Sequence, residues 1–340
     1  MPAQTVLPRW RGFNLLPLFE RDHFQNLSET VFRAEVASDL QWLADWGFDF
    51  ARIPMDFRIW TQSDDLLAVS ESVLEQIDYI VEQGQKYGVH ICLNFHAAPG
   101  YCINPKPTLL PSLWKNQSAL DVFAAHWGIF ARRYTGIPAQ QLSFDLVNEP
   151  PNVSDDIMSE ADYVRVHTAA ANAIHAVDPE RLVIADGMNI GNTPNPHLPP
   201  DIAQSCRGYI PGSISHYLAP WANGMGYPRP TWPEFAQAGL DDPWNRERLE
   251  THYQQWANLA AQGVGIHCGE MGAYHFTPHT VALRWLEDVL DILKGQNIGF
   301  ALWNFRGDFG VLDSGRQDVA YADFRGHQLD QALLDLLRRY

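Results

Sequence analysis

The chain carries few cysteines, a shortage of basic residues and no long hydrophobic run, and each deficit excludes something. The four cysteines among 340 residues, Cys92, Cys102, Cys206 and Cys268, have neither metal-ligand spacing nor the density of a disulfide framework. Cys92 and Cys268 fall inside apolar patterns, where a free thiol acts as a small hydrophobe. A Cys102–Cys206 bridge stays open. Lysine and arginine total 24 against 40 aspartates and glutamates, for a formal net charge of −16. So acidic a chain repels phosphate backbones and anionic lipid surfaces, so neither nucleic acid nor a membrane is the expected partner. No segment is long and apolar enough to span a bilayer. Residues 1–11 lack the apolar run of a secretory leader, so the sequence as written reads as cytoplasmic, and a leader already removed would leave the same appearance. No glycine-rich phosphate fingerprint follows an early strand, which counts against a dinucleotide-binding sheet.

What is present is a large apolar complement, 46% of residues against 19% charged, arranged in a repeated order. Strand-like runs are expected at residues 10–15, 48–54, 89–96, 142–149, 181–186, 264–270 and 299–304, with a weaker one at 213–216. Helical periodicity is expected at 31–46, 71–86, 119–134, 161–177, 246–261, 280–293 and 328–338. Gly47 sits where a helix C-terminus needs it. Eight strands, most followed by a helix, predict a parallel sheet with right-handed crossovers. Over this length they favour one closed (β/α)8 TIM barrel spanning residues 1–340. The irregular stretches 97–118 and 218–243, after the third and sixth expected strands, are long and rich in Pro, Gly and aromatics, so they are expected to wall a groove.

Two of the apolar strands run straight into a glutamate, one ending Asn148-Glu149-Pro150 and the other Cys268-Gly269-Glu270. In a parallel barrel both would arrive at the end where active sites are built. Two carboxylates there can divide the breaking of a glycosidic bond between an acid and a nucleophile. Other expected strands end in Arg52, His96, His216 and Trp303. Singly each has a structural account: an ion pair, a satisfied core histidine, core filler. Brought together at one barrel end, they describe a site.

The ordered set Phe50-Ala51-Arg52-Ile53-Pro54, His96-Ala97-Ala98-Pro99-Gly100, Asn148-Glu149-Pro150, His216, Cys268-Gly269-Glu270-Met271-Gly272 and Trp303 resembles glycoside hydrolase family 5, the cellulase and mannanase family, over nearly the whole chain. The resemblance implies a retaining hydrolase with Glu149 as general acid/base and Glu270 as nucleophile, their carboxyl groups about 5–5.5 Å apart. It places Arg52 beside Glu270 to keep it charged, Asn148 on the sugar 2-hydroxyl, His96 and His216 on hydroxyls or carboxylates, and Trp303 against the sugar ring. It calls for no cofactor and no metal. One departure stands out. Family members carry a tyrosine two residues after the sixth-strand histidine, and here Leu218 follows His216 at that distance. Tyr217, through a register shift, or Tyr274 would then serve the nucleophile, or the nucleophile is less constrained.

Two rival functions fit a barrel of this kind less well. A metal-dependent hydrolase on this barrel would want a close His-x-His pair, whereas His90 and His96 are expected at opposite ends of one strand. A non-catalytic carbohydrate-binding barrel has no use for an acid and nucleophile pair with Arg52 and Asn148. The implied substrate is a β-1,4-linked glucoside or mannoside, oligosaccharide or polysaccharide. Trp60, Trp114, Trp221, Trp232 and Trp244, in or beside loops, are the sugar-stacking candidates. The lack of a leader favours short oligosaccharides and exo action over polymer. The oligomeric state is not legible.

Overall fold

In the computed structural model, which describes residues 7–62, 64–222 and 224–340, the expected alternation becomes a closed barrel. Its strands are Arg11–Asn14 (β1), Phe50–Asp56 (β2), His90–Ala98 (β3), Leu142–Asp145 (β4), Leu182–Asp186 (β5), Ile202–Gly208 (β6), Ile266–Met271 (β7) and Gly299–Leu302 (β8). All neighbours pair in parallel, and β2 bonds both β1 and β3, which closes the ring. This is the (β/α)8 TIM barrel that the alternation predicts. No helix of the described residues is long and apolar enough to cross a membrane.

The outer helices form where one-sided periodicity meets good ends. Glu29–Asp45 starts at Ser28, whose side chain accepts from the Val31 amide, and turns Val36, Leu40 and Leu43 onto the barrel. Glu160–His175 starts in a capping box between Ser159 and Asp162. Glu71–Tyr87 stops at Gly88, which takes the left-handed conformation that terminates a helix at least cost. Trp60 and Trp114 prove to be fully buried packing groups, whereas Trp221 is 55% exposed.

One expected strand is corrected. Residues 213–216 do not form a strand; Gly212–Ser215 is a single helical turn and His216 is its cap. The sixth strand is Ile202–Gly208, which has no apolar run to betray it. The reason lies on both of its faces. Inside the barrel it carries Ser205 and Arg207. Outside, the crossover from β5 holds a one-turn helix, Met188–Gly191, and loop in place of a covering helix. The outward Gln204 is therefore satisfied by backbone: Asn195 N donates to its Oε1 at 2.9 Å and its Nε2 donates to Asn195 O at 2.7 Å. A strand lined by polar groups and covered by loop escapes an apolar-pattern search.

Candidate active site

Strand alternation alone would not assemble the site. Along β7, His267 points into the barrel and Cys268 packs in the outer core, so strict alternation would turn Glu270 outward with Cys268. A register shift prevents this: Cys206 pairs with Cys268, but Arg207 pairs with Glu270, leaving Gly269 as the extra residue. Such a bulge re-aims the side chains that follow it. Glu270 thus faces Arg207 across the barrel mouth. A similar shift in the β2–β3 pairing falls at His96.

Glu149 lies four residues beyond β4 and adopts a left-handed backbone, φ 44°, that a non-glycine residue rarely accepts. The conformation is held from both sides. Its amide donates to Asp186 Oδ2 at 2.9 Å, and its carbonyl accepts from the Tyr101 hydroxyl at 2.6 Å. Strain that neighbours over-determine in this way is characteristic of functional positions.

Two buried guanidinium groups tie the site together. Arg52 Nη1 donates to Glu270 Oε1 at 2.6 Å and to Asn14 Oδ1 at 3.1 Å, its Nε to Asp145 Oδ2 at 2.7 Å, and its Nη2 to Asn148 Oδ1 at 2.9 Å. Arg207 reaches both glutamates, with Nε 3.1 Å from Glu149 Oε1 and Nη2 3.3 Å from Glu270 Oε1. Its Nη2 also meets Asn148 Oδ1 at 2.9 Å. Asn148 therefore spends its carbonyl on two arginines, and its Nδ2 is buried with no partner among the described residues. That amide is a donor left for a bound molecule.

Burial pushes the Glu149 carboxyl up to about 8, helped by the charge of Glu270 and opposed by Arg207. Asp145 is raised to about 7, chiefly by burial and then by Asp186, with Arg52 opposing. Burial also presses on Asp186, but Arg207 and Arg52 outweigh it and hold this carboxylate below its usual range. The pair at the mouth is thus split: an acid that keeps its proton at neutral pH beside a carboxylate gripped by two cations. That division is what acid and nucleophile require.

The sixth-strand tyrosine is Tyr209. Its hydroxyl donates to Glu270 Oε2 at 3.0 Å. Arg207-Gly208-Tyr209 therefore has the residue-x-Tyr spacing of the resemblance, with arginine where the pattern carries histidine. Leu218 never stood at that position. Tyr274 packs edge-on to Trp221 at 4.8 Å, away from the nucleophile. Tyr217 lines a separate cavity of about 190 Å³ with Arg229, His275 and Phe276. His216 sits behind the site, bonded to Ser215 Oγ through Nδ1 at 2.8 Å, its ring 5.0 Å from that of Tyr209. His96 and Trp303 lie together at the mouth, ring centroids 5.6 Å apart, and His96 Nε2 is 2.8 Å from Asn104 Oδ1. All four cysteines are free thiols, Cys102 and Cys206 included.

Sequence reasoning missed Asp145, Asp186, Arg207 and Tyr209. For Asp186 the signal was present, since it ends the expected strand 181–186 in a titratable residue, whereas Asp145 lay inside the expected strand 142–149, which runs past the observed strand end. For Arg207 and Tyr209 it was hidden by the misplaced sixth strand.

Comparison with known proteins agrees with this geometry. Residues 22–308 match the Cellulase model, glycosyl hydrolase family 5. Endoglucanase C of Acetivibrio thermocellus is 24% identical over 332 residues, covering 89% of this chain and 91% of the relative. Cellodextrinase A of Ruminococcus flavefaciens is 22% identical over 275 residues, covering 77% and 75%. A crystal structure described as a glycoside hydrolase superposes with a TM-score of 0.87 at 35% identity, covering 97% of this chain and 99% of the other.

Proposed function

Because the chain belongs to glycosyl hydrolase family 5 and is a retaining β-glycoside hydrolase, we propose that Glu149 is its general acid/base and Glu270 its nucleophile. In the first half-reaction a Glu270 oxygen attacks the anomeric carbon, the glycosidic C–O bond breaks, and the Glu149 proton passes to the departing oxygen. In the second, Glu149 takes a proton from water, the water oxygen attacks the same carbon, and the ester bond electrons return to Glu270. Asn148 Nδ2 is the donor for the sugar 2-hydroxyl, Arg52 and Tyr209 orient the nucleophile, Trp303 backs the sugar ring, and His96 positions its outer edge.

The substrate is a β-1,4-linked glucoside or mannoside, taken as a short oligosaccharide and cut near one end. One observation carries this reading. Phe19, in the segment after β1, stands edge-on to both His96, 4.6 Å between centroids, and Trp303, 5.3 Å. Lys106, from the long segment after β3, clamps it there. Its ammonium lies 4.1 Å from the centre of the Phe19 ring, donates to Phe19 O at 3.0 Å and pairs with Glu20 at 2.8 Å. Two loops are thus clasped beside Trp303, and we take this clasp to close one end of the groove to a longer chain. The name Cellodextrinase A of one relative suits this substrate size; the name Endoglucanase C of another suits internal cleavage. A product-resolved assay on defined gluco- and manno-oligosaccharides tests the choice. Release of one small product from one end is expected. Random internal cleavage of soluble cellulose or galactomannan would overturn it.

A further inference from the structure

Arg207 is built into the barrel more completely than a sugar-binding side chain needs to be. Its side chain is 1% exposed. Besides the two glutamates and Asn148, Nη1 donates to Asp186 Oδ1 at 2.9 Å and to Ser205 Oγ at 3.0 Å, and Nη2 contacts Asp186 Oδ2. Two glycines make room for it. A Cβ on Gly191 would stand 2.5 Å from Arg207 Cγ, and one on Gly269 would stand 3.1 Å from Nη1. The bulge residue that turns Glu270 inward is therefore also the one that admits the guanidinium facing it.

The charges around it add up in an informative way. The barrel mouth holds four buried or half-buried carboxyl groups, Asp145 on β4, Glu149 after it, Asp186 on β5 and Glu270 on β7. It holds two guanidinium groups, Arg52 on β2 and Arg207 on β6. His96 and His216, the nearby imidazoles, are driven toward the neutral form by burial. Tyr101 and Tyr209 keep their protons for the same reason. Burial and the neighbouring Glu270 hold the Glu149 proton, while the two guanidinium groups are bonded to Asp145, Asp186 and Glu270. During glycosylation Glu149 gives up its proton as Glu270 becomes an uncharged ester. One negative charge leaves one carboxylate and appears on another, and both are bonded to Arg207.

We propose that Arg207 is a positioning residue that keeps this exchange balanced: it holds the two carboxylates on one guanidinium, and its undiminished attraction turns Glu149 from acid to base once Glu270 is esterified. A neutral imidazole at this strand position could bond the carboxylates but could not supply a fixed charge. Asp186 anchors the guanidinium at its far side and, through the Glu149 amide, sets the acid in register with it. The inference rests on the assignment of Glu149 and Glu270 given above.

The test uses Arg207→Met, Arg207→Lys and the double variant Arg207→Met/Asp186→Asn, which removes the Asp186 carboxylate that Arg207 anchors, in case the single variant fails to fold. With 4-nitrophenyl β-glucoside, or the β-mannoside if the product assay selects mannose, the pH profile of kcat/KM reports the acid. Its alkaline limb, expected near pH 8 from the raised Glu149 carboxyl, should move up by about 1 pH unit or more in Arg207→Met, the size of an opposite charge removed at contact distance, and by less in the double variant, where loss of the Asp186 charge that also raises Glu149 opposes the shift. It should stay near the native position in Arg207→Lys. With the 2,4-dinitrophenyl glycoside, whose departure needs no acid, kcat reports ester hydrolysis. It should fall on the order of 10²-fold in the Met variants, the low end of what a well-placed general base contributes, with KM falling alongside as the ester accumulates. An unmoved limb together with equal losses on both substrates would overturn the proposal and leave Arg207 a scaffold residue. Labelling of the native enzyme by a 2-deoxy-2-fluoro glycoside separates the two levels. Failure to label Glu270 would sink the underlying assignment, whereas normal labelling with an unmoved limb would sink only the role of Arg207.

Discussion

The two ends of the barrel interior hold similar residue types and treat them in opposite ways. At the C-terminal mouth, Arg52 and Arg207 are interleaved with Asp145, Glu149, Asp186 and Glu270. At the N-terminal floor, His90 and His267 lie among aromatic rings: Trp10 stacks on His90 at 3.7 Å and Phe50 lies 4.4 Å from His267. His90 is fully occupied, with Nδ1 2.9 Å from Gln140 O and Nε2 2.7 Å from Ser143 Oγ. Burial drives both floor histidines down to about 3, so they are neutral at any working pH. The same low dielectric that silences the floor forces charges at the mouth to find partners and raises the carboxyl of Glu149. His90 and His96 sit on one strand and show the split directly, one packed into the floor and the other standing beside Trp303. What distinguishes the catalytic end from the structural end here is that its cations, Arg52 and Arg207, are each shared among several carboxyl groups, since titratable groups occur at both.

The largest expected effect separates the ends by activity. Glu149→Gln and Glu270→Gln should each lower turnover on the order of 10³-fold or more, as loss of an acid/base or nucleophile does, while the melting temperature holds or rises. Loss of melting temperature in step with activity would erase the contrast. The converse change is Trp10→Ala at the floor, which should cost about 3–5 kcal/mol of stability through the cavity it leaves. Urea titration reads that loss, and kcat/KM per folded molecule should be native.

The smallest effect sharpens the comparison through pH. Glu149 has a folded pKa above its unfolded value, so between about 4.5 and about 8 the unfolded chain releases a proton that the folded one keeps. Stability is lost as pH rises through that window. His267 has a folded pKa of about 3, below its unfolded value near 6.5, so stability is lost as pH falls from about 6.5. Glu149→Gln should therefore gain on the native protein as pH rises from 5 to 8, by at most about 1.4 kcal/mol per pH unit. His267→Phe should gain as pH falls from 6.5 to 4. Thermal melts of the three proteins across pH 4–9 check both signs, and parallel curves would refute the division.

The barrel was legible because seven of its strands are apolar runs bounded by amphipathic helices, patterns that burial on two faces imposes on any parallel barrel. Glu149, Glu270, Arg52 and Asn148 were legible because they end such runs. Strand β6 was not, since its inward Ser205 and Arg207 serve the charge network and its outward Gln204 is met by loop backbone. With it went Arg207 and Tyr209, and His216 and Leu218 were read in their place.

By itself, then, the sequence determined which residue types reach the barrel mouth and, through strand and helix periodicity, that a mouth exists. Tertiary structure decided which of them touch. The bulge at Gly269 that turns Glu270 inward depends on pairing with β6, a partner remote along the chain. The sharing of one guanidinium by two glutamates follows from that pairing and from the space that Gly191 and Gly269 leave for it. Local pattern reports which face a residue prefers, whereas register between distant strands sets the distances on which the chemistry depends.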